Sequence, residues 1–288
     1  RRAWQRRPSS DVEFHPGPAA RAAGYRVTSY PAIGSTNEEA LAAARAGDPG
    51  AHWFVTDEQT AGRGRRGRAW VAPRDNLAAT LLAVVDHQPQ VAATLGFVGG
   101  LALDEALRAV APDLSVRMAL DGAEGEGAEV RDRLRLKWPN DVLLDGGKLA
   151  GIGLEAAALP NGKLAVAIGI GVNVVAAPQG LPYPATSLAM LGLGLDAGTV
   201  FEALGDAAAG LMRIWNGGAG FPVLRRLWLE RAAGLGQTVA VRSGEEVLQG
   251  AFETIDDQGR LVVRAADGGI RTIAAGEVHF GAVATVRA

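Results

Sequence analysis

The sequence predicts an α+β protein: a mixed, mainly antiparallel sheet with flanking helices, followed by a small β-barrel at the C-terminal end. Three observations carry this. Three strand-like apolar runs between residues 134 and 175 are separated by hairpin-type turn signals. Segments on either side of them repeat apolar residues at three- and four-residue steps, the pattern of an amphipathic helix. Beyond Gly234-Leu235-Gly236, short strands recur at roughly ten-residue spacing, as in a small barrel.

The length of 288 residues suggests roughly two domains, with a boundary near residue 235. Residues 1–22 read as a flexible lead-in. Arg1 to Arg7 is basic without an apolar signal core behind it, and Pro8 to Ala20 holds three prolines and a glycine. The expected catalytic domain is 23–234 and the barrel domain 235–288. Ser35 or Thr36 with a glutamate three residues on is a capping box, predicting a helix over 36–46. Trp53–Thr56 and Asn76–Val85 read as strands, the second largely buried. Val91, Leu95, Val98, Ala102, Ala106 and Val110 form one stripe, predicting a helix over 91–110. Asp121 to Glu129, rich in Gly, Ala and Glu, reads as a hairpin tip. The three strand runs are Leu134–Leu144, Leu149–Ala157 and Leu164–Val175, punctuated by Asp145-Gly146-Gly147 and Pro160-Asn161-Gly162. Two helices follow over 199–215 and 221–232. Turns at Ser243-Gly244, Gln258-Gly259 and Asp267-Gly268-Gly269 then divide the barrel strands.

Composition excludes several functions. The chain has no cysteine, which removes disulfides, thiolate metal sites and cysteine nucleophiles. A formal net charge of -2 means that any anion-binding function must be local. No uncharged run of about 18 apolar residues occurs, so no membrane span is expected. His15, His52, His87 and His279 are scattered without zinc-type spacing. No nucleophile-elbow or P-loop motif is present.

Three constellations remain. Gly62-Arg63-Gly64-Arg65-Arg66-Gly67-Arg68 puts four arginines and three glycines in seven positions. Glycine lets backbone approach a ligand closely, and arginine offers a planar fork for carboxylate and phosphate oxygens. The rival readings are an exposed basic loop touching nucleic acid, a flexible linker, and a dinucleotide fingerprint. The last needs a helix that Pro73 leaves almost no room for. Lys137-Trp138-Pro139-Asn140-Asp141 displays a cation, an amide and a carboxylate within a strand-like run, although Asn140 and Asp141 could serve the turn alone. The alternating glycines of Ile168-Gly169-Ile170-Gly171-Val172-Asn173 suggest a ligand or another backbone lying flat on the sheet, or else a bulge in a crowded core. Gly147-Lys148-Leu149-Ala150-Gly151 carries the same ambiguity.

Together with Ser35-Thr36-Asn37, the run Gln59 to Trp70 and Pro184 to Leu188, these motifs resemble the bacterial biotin protein ligases in order and spacing, over about residues 25–280. The resemblance implies a class II synthetase-like catalytic domain and an SH3-like C-terminal barrel. It implies activation of biotin with ATP and Mg²⁺ to biotinyl-5'-AMP, then transfer to a lysine of a biotin carboxyl carrier protein, a subunit of an acyl-CoA carboxylase. It assigns biotin contacts to Ser35, Thr36, Asn37, Gln59, Gly62, Arg63, Gly64, Arg65, Lys137, Gly151, Gly169 and Gly171. It assigns nucleotide contacts to Arg63, Arg65, Arg66, Arg68, Trp70, Lys137, Asn140 and Asn173, with Arg65 and Lys137 catalytic and no protein metal ligand. A cytoplasmic monomer or weak homodimer without DNA-binding domain or membrane partner is expected. The alternatives kept open are a lipoate or octanoate ligase on the same scaffold and a nucleic-acid-binding module.

Overall fold

A computed structural model of the chain describes residues 12–64, 67–115 and 133–280. The expected hairpin tip at 121–129, and Arg65 and Arg66 of the arginine loop, lie outside the described residues.

A seven-stranded sheet forms the centre. Its strands are β1 (Arg26–Ser29), β2 (His52–Thr56), β3 (Leu77–Val85), β4 (Leu134–Lys137), β5 (Asp141–Leu144), β6 (Gly147–Ala158) and β7 (Leu164–Val172), in the order β1-β2-β3-β7-β6-β5-β4. Only β1 and β2 pair in parallel, so the sheet is mixed and mainly antiparallel as expected. The run expected as one strand from Leu134 to Leu144 folds back on itself. A turn with a cis Trp138–Pro139 peptide makes it the β4–β5 hairpin.

The period-2 pleat divides the sheet into two faces. Leu77, Ala79, Leu81, Val166, Ile168, Ile170 and Ile152 point to the large core. Above that face pack α4 (Leu95–Val110), α5 (Ala197–Trp215) and α6 (Phe221–Glu230). The opposite face holds Leu82, Ala165 and Ala167, covered by α2 (Thr36–Arg45) through Ala40, Leu41 and Ala44. Along β6 and β7 this second face continues into glycine. Gly151 pairs with Gly171 and Gly153 with Gly169 across the two strands. The glycine pairs leave a floor beyond the end of α2 where side chains from elsewhere can lie.

Two expectations shift. The helix expected over 91–110 is broken at Thr94 into α3 (Pro89–Ala93) and α4. Thr94 Oγ1 donates to Val91 O at 2.6 Å and accepts from Trp215 Nε1 at 2.8 Å, so it serves as a junction. Residues 12–22, expected as part of a flexible lead-in, pack against the fold. Phe14 is buried edge-to-face on Phe201 at 5.6 Å, and α1 (Pro18–Ala22) packs on α5, with Asp206 Oδ1 accepting from Ala20 N at 2.8 Å.

The C-terminal part is a separate antiparallel sheet of β8 (Thr238–Ser243), β9 (Glu246–Ile255), β10 (Leu261–Ala265), β11 (Ile270–Ile273) and β12 (Glu277–Phe280), in the order β11-β10-β9-β8-β12. Its β9–β10 turn is pinned to the catalytic sheet. Trp138 Nε1 donates to Gly259 O at 3.1 Å, and Arg225 Nη1 donates to Ile255 O at 3.0 Å. Gly259 has φ +78° and a Cβ there would lie 2.8 Å from the Phe97 ring, so both backbone and space demand glycine. The β8–β12 edge is thereby held over the glycine floor.

Candidate active site

A cavity of about 830 Å³ opens between the glycine floor, the start of α2, the arginine loop, the β4–β5 turn and the β8–β12 edge. Its wall includes Ser35, Thr36, Asn37, Gln59, Arg63, Gly64, Arg68, Trp70, Lys137, Asn140, Gly151, Gly169 and Gly171. Thirteen residues singled out in the sequence therefore converge. Gly62 and Asn173 do not line it. Gly62 closes the base of the arginine loop, accepting from Trp70 N at 2.9 Å, and a Cβ there would meet Gln59 at 2.4 Å. Asn173 is buried, and its Nδ2 donates to Thr186 O at 3.1 Å, which fastens the 184–187 segment instead of facing the cavity.

At one end the wall is polar and buried. Ser35 caps α2, its hydroxyl accepting from Glu38 N at 3.4 Å. Gln59 Oε1 accepts from Thr36 N at 2.9 Å and from Thr36 Oγ1 at 3.0 Å. Thr80 Oγ1 lies 2.8 Å from Thr36 Oγ1 and 2.7 Å from Asn37 Oδ1, its single proton serving one of them. With Gln59 Oε1 doubly occupied, its Nε2 donors and the Ser35 hydroxyl are oriented by the network and remain on the cavity wall. Asn37 Nδ2 donates to Glu155 Oε1 at 2.9 Å, and the Asn37 side chain lies against Gly169.

The described residues on either side of Arg65 and Arg66 pair as the base of a hairpin. Arg63 bridges to Ala69, and Gly64 N donates to Arg68 O at 2.7 Å. Its described cations are committed. Arg63 binds Glu38 and reaches Glu155 at 3.4 Å, while Arg68 binds Glu277 of β12 at 2.7 Å. Trp70 leaves this hairpin and lies on the glycine floor. A Cβ on Gly171 would be 2.5 Å from its Nε1, and one on Gly151 would be 3.0 Å from its Cζ3. The sequence admits a ligand, another backbone or a bulge at Gly169 and Gly171; what lies against them in the structure is the side chains of Asn37 and Trp70.

Lys137 points from the end of β4 toward Phe280, 5.6 Å from the ring centroid. Burial lowers its pKa, the Asp141 carboxylate opposes this, and Lys148 adds to the lowering. Asn140 lines the cavity while its Nδ2 ties the turn to Ile152 O at 2.8 Å.

Several wall residues were not among the sequence candidates. Lys148 is the most consequential. Its Nζ pairs with Asp141 Oδ1 at 2.7 Å and lies 5.5 Å from both the Trp70 and Tyr183 rings. Glycine before it and an apolar strand after it were the available signal. Arg242, Glu277, His279 and Phe280 come from the C-terminal sheet, and nothing local in sequence links them to the cavity.

Residues 35–173 match the biotin/lipoate A/B protein ligase family, and residues 234–281 match the biotin protein ligase C-terminal domain. The chain is 40% identical over 256 residues to a biotin–[acetyl-CoA-carboxylase] ligase of Paracoccus denitrificans, covering 86% of this chain and 97% of that protein. It is 36% identical to the Mycobacterium tuberculosis protein of the same name, covering 85% of each. The chain belongs to the biotin protein ligase family. Its fold is that of the Aquifex aeolicus biotin protein ligase solved with biotin and ATP (TM-score 0.67, 24% identity, 88% of this chain and 97% of that one).

Proposed function

We propose that this protein joins biotin to a lysine of a biotin carboxyl carrier protein in two steps, the first of which consumes ATP. The observation that carries the reading is one cavity with a buried polar end at Ser35, Thr36 and Gln59 and a cationic stretch at Lys137 and Lys148. An acid with a polar ring group fits the first end, and its carboxylate reaches the second.

In the first step a carboxylate oxygen of biotin attacks the α-phosphorus of ATP. The bond from that phosphorus to the bridging oxygen breaks, and pyrophosphate leaves with the electron pair. Both partners are anionic, and at about 4 Å their repulsion is about 1 kcal/mol in water and about 4 at a surface-like dielectric. Fixed cations offset this and stabilise charge in the transition state. Lys148, steered by Asp141 and held between Trp70 and Tyr183, is placed for the carboxylate. Lys137, desolvated in the wall, serves the phosphate. In the second step a carrier lysine amine attacks the acyl carbon, the bond to AMP breaks, and an amide forms with loss of one proton. Positioning and charge placement suffice for both steps, so no protein nucleophile is required.

Mg²⁺ belongs to this reading as a companion of the nucleotide. Among the described residues no group of three potential ligands gathers, and the cavity carboxylates Asp141 and Glu277 are paired with Lys148 and Arg68. The described residues form no cation cage. Among the described residues no helix is long and apolar enough to cross a membrane. The cytoplasm, where ATP and carboxylase subunits meet, is the proposed setting, with 23–234 as the catalytic domain and 235–288 as the SH3-like domain.

The test is incubation with biotin, ATP, magnesium and a carrier domain. Biotin on a single lysine and release of AMP and pyrophosphate are expected. Equal transfer of lipoate or octanoate would replace biotin as substrate, because a wall built around a polar ring group should reject an acid without one.

A further inference from the structure

Asp104 of α4 is a fully buried carboxylate that neither step of the reaction uses. Its Oδ2 accepts from Arg108 Nε at 2.9 Å and from Arg231 Nε at 2.8 Å, and its Oδ1 accepts from Arg108 Nη2 at 3.0 Å. The two guanidinium side chains are mostly covered, with 23% and 21% of their surface exposed. Arg108 lies one turn along the same helix, so its pairing is local. Arg231 comes from far away in the chain. It follows the last residue of α6, and its Nη1 donates to Leu227 O at 2.7 Å, which fixes the guanidinium across the end of that helix.

Arg231 opens the segment 231–237 that leads from α6 to β8. This segment runs along the outer edge of β4 as a short parallel partner. Arg231 O accepts from Leu136 N at 2.9 Å, and Leu136 O accepts from Ala233 N at 2.8 Å. The next residue of β4 is Lys137. Farther on, Gly234 has φ +78°, and a Cβ there would stand 2.5 Å from the Phe280 ring, the ring over which the Lys137 ammonium lies. Gly236 N then donates to Phe252 O of β9 at 2.8 Å, and Gln237 O accepts from Phe252 N at 2.9 Å. One short run of chain is thus fixed at its start by Asp104, next by the strand that ends in Lys137, and at its end by the C-terminal sheet.

We propose that Asp104 is a positioning residue: by orienting Arg231 it sets the path of 231–237, and with it where the Lys137 ammonium stands against β12. This deepens the ligase reading and rests on it for the reaction that Lys137 serves. A buried ion pair is often no more stabilising than apolar side chains of the same volume. What it adds is direction, because a guanidinium N–H meets a carboxylate oxygen in a narrow range of arrangements. The helices α4 and α6 already pack through Phe97 and Trp228, whose ring centroids are 5.5 Å apart. The carboxylate is not needed to bring them together; it selects where the chain beyond α6 goes.

The test uses the full-length protein with Asp104→Asn, Arg231→Gln and Arg231→Lys, and with Asp48→Asn as a control that loses stability near the β1 edge. Well below each melting temperature, three quantities are measured: the single-turnover rate of biotinyl-AMP formation at saturating ATP and biotin, biotin affinity by calorimetry, and amide hydrogen exchange at Leu136 and Ala233. Asp104→Asn should slow the single-turnover rate by about 10-fold, since a misplacement of about 1 Å can cost about 100-fold. Biotin affinity should stay within about twofold, and both amides should exchange faster. Arg231→Gln should do the same, Arg231→Lys should recover part of the rate, and Asp48→Asn should keep the parental rate. A folded Asp104→Asn protein with the parental rate overturns the proposal. So does a slowed rate with unchanged exchange at both amides, an equal loss of biotin affinity, or an equal slowing in Asp48→Asn. If Asp104→Asn does not fold, Arg231→Gln decides by the same readings. Should the unmodified protein form no biotinyl-AMP, the ligase reading falls, and exchange at the two amides still decides whether Asp104 sets the path of 231–237.

Discussion

The Lys148 ammonium and the Asp141 carboxylate sit 2.7 Å apart across the β5–β6 hairpin, each side chain with 18% of its surface exposed. Lys148 is also where the loop after β7 is stitched to the sheet. Its N–H donates to Pro184 O at 2.9 Å, and its carbonyl accepts from Thr186 N at 3.0 Å. One residue thus supplies both the cation and the anchor of the loop that carries Tyr183. Lys148→Ala should lower kcat/KM for adenylate formation by about 100-fold or more, about 2.7 kcal/mol of transition-state stabilisation. Asp141→Asn should cost less, about 10-fold, because the ammonium keeps its two aromatic neighbours. Pyrophosphate release under biotin saturation measures both, and a Lys148→Ala protein within threefold of the parent would remove the lysine from the chemistry.

The indole of Trp70 lies on Gly171 so closely that no side chain fits between them. Gly171→Ala should push Trp70 off the floor, change its fluorescence, and slow adenylate formation by about 10-fold or more. Overpacking of this kind costs about 1–3 kcal/mol, so the folded protein should survive with a lowered melting temperature. An unmoved fluorescence spectrum together with parental kinetics would show that the ring is not held by the floor.

Local patterns were readable wherever the physics is local. The capping serine of α2, the largely buried apolar run of β3, and the turns of the C-terminal strands each follow from neighbouring residues, and the structure has them. The glycines at 169 and 171 were legible as a place where something lies flat. What lies there was not, because Trp70 and Asn37 arrive through the long-range register that sets Gly151 opposite Gly171 and Gly153 opposite Gly169. The arginine loop was legible as an anion site, yet the commitment of Arg63 to Glu38 and Glu155, and of Arg68 to Glu277, depends on elements far away in the chain. The break at Thr94 was hidden for the same reason, since the indole that fixes it belongs to Trp215.

Gln59 holds Thr36 through one oxygen and presents its amide donors to the cavity. Gln59→Leu removes those donors and leaves the Thr36 N–H without its acceptor, a loss of about 1–3 kcal/mol for the buried group alone. Biotin affinity should fall by about 100-fold, with a smaller change in KM for ATP, since the proposed nucleotide position is nearer Lys137. Calorimetric titration with biotin checks this. Equal weakening of both ligands would mean that Gln59 acts on the whole cavity and not on its polar end.

Stability at acid pH should turn on Asp48, outside the cavity. Its pKa is lowered to about 2 from 3.8. Burial works against this lowering and is outweighed by hydrogen bonds from Arg26 at 2.6 Å, His52 at 2.7 Å and Gly50 N–H at 2.9 Å. In the neutral tautomer that donates from Nδ1 to Asp48, His52 accepts from Thr28 Oγ1 at 2.8 Å through Nε2, so the carboxylate ties the edge strand β1 to β2. A carboxyl with a depressed folded pKa contributes stability above its unfolded pKa and loses it as pH falls through the folded one. The gap between the two values corresponds to about 2 kcal/mol. Asp48→Asn should therefore be less stable by about 2 kcal/mol in urea unfolding at pH 7, and the difference should shrink as pH falls from about 4 toward 2. A constant difference across that range would mean that the contribution comes from shape and hydrogen bonding and not from the carboxylate charge.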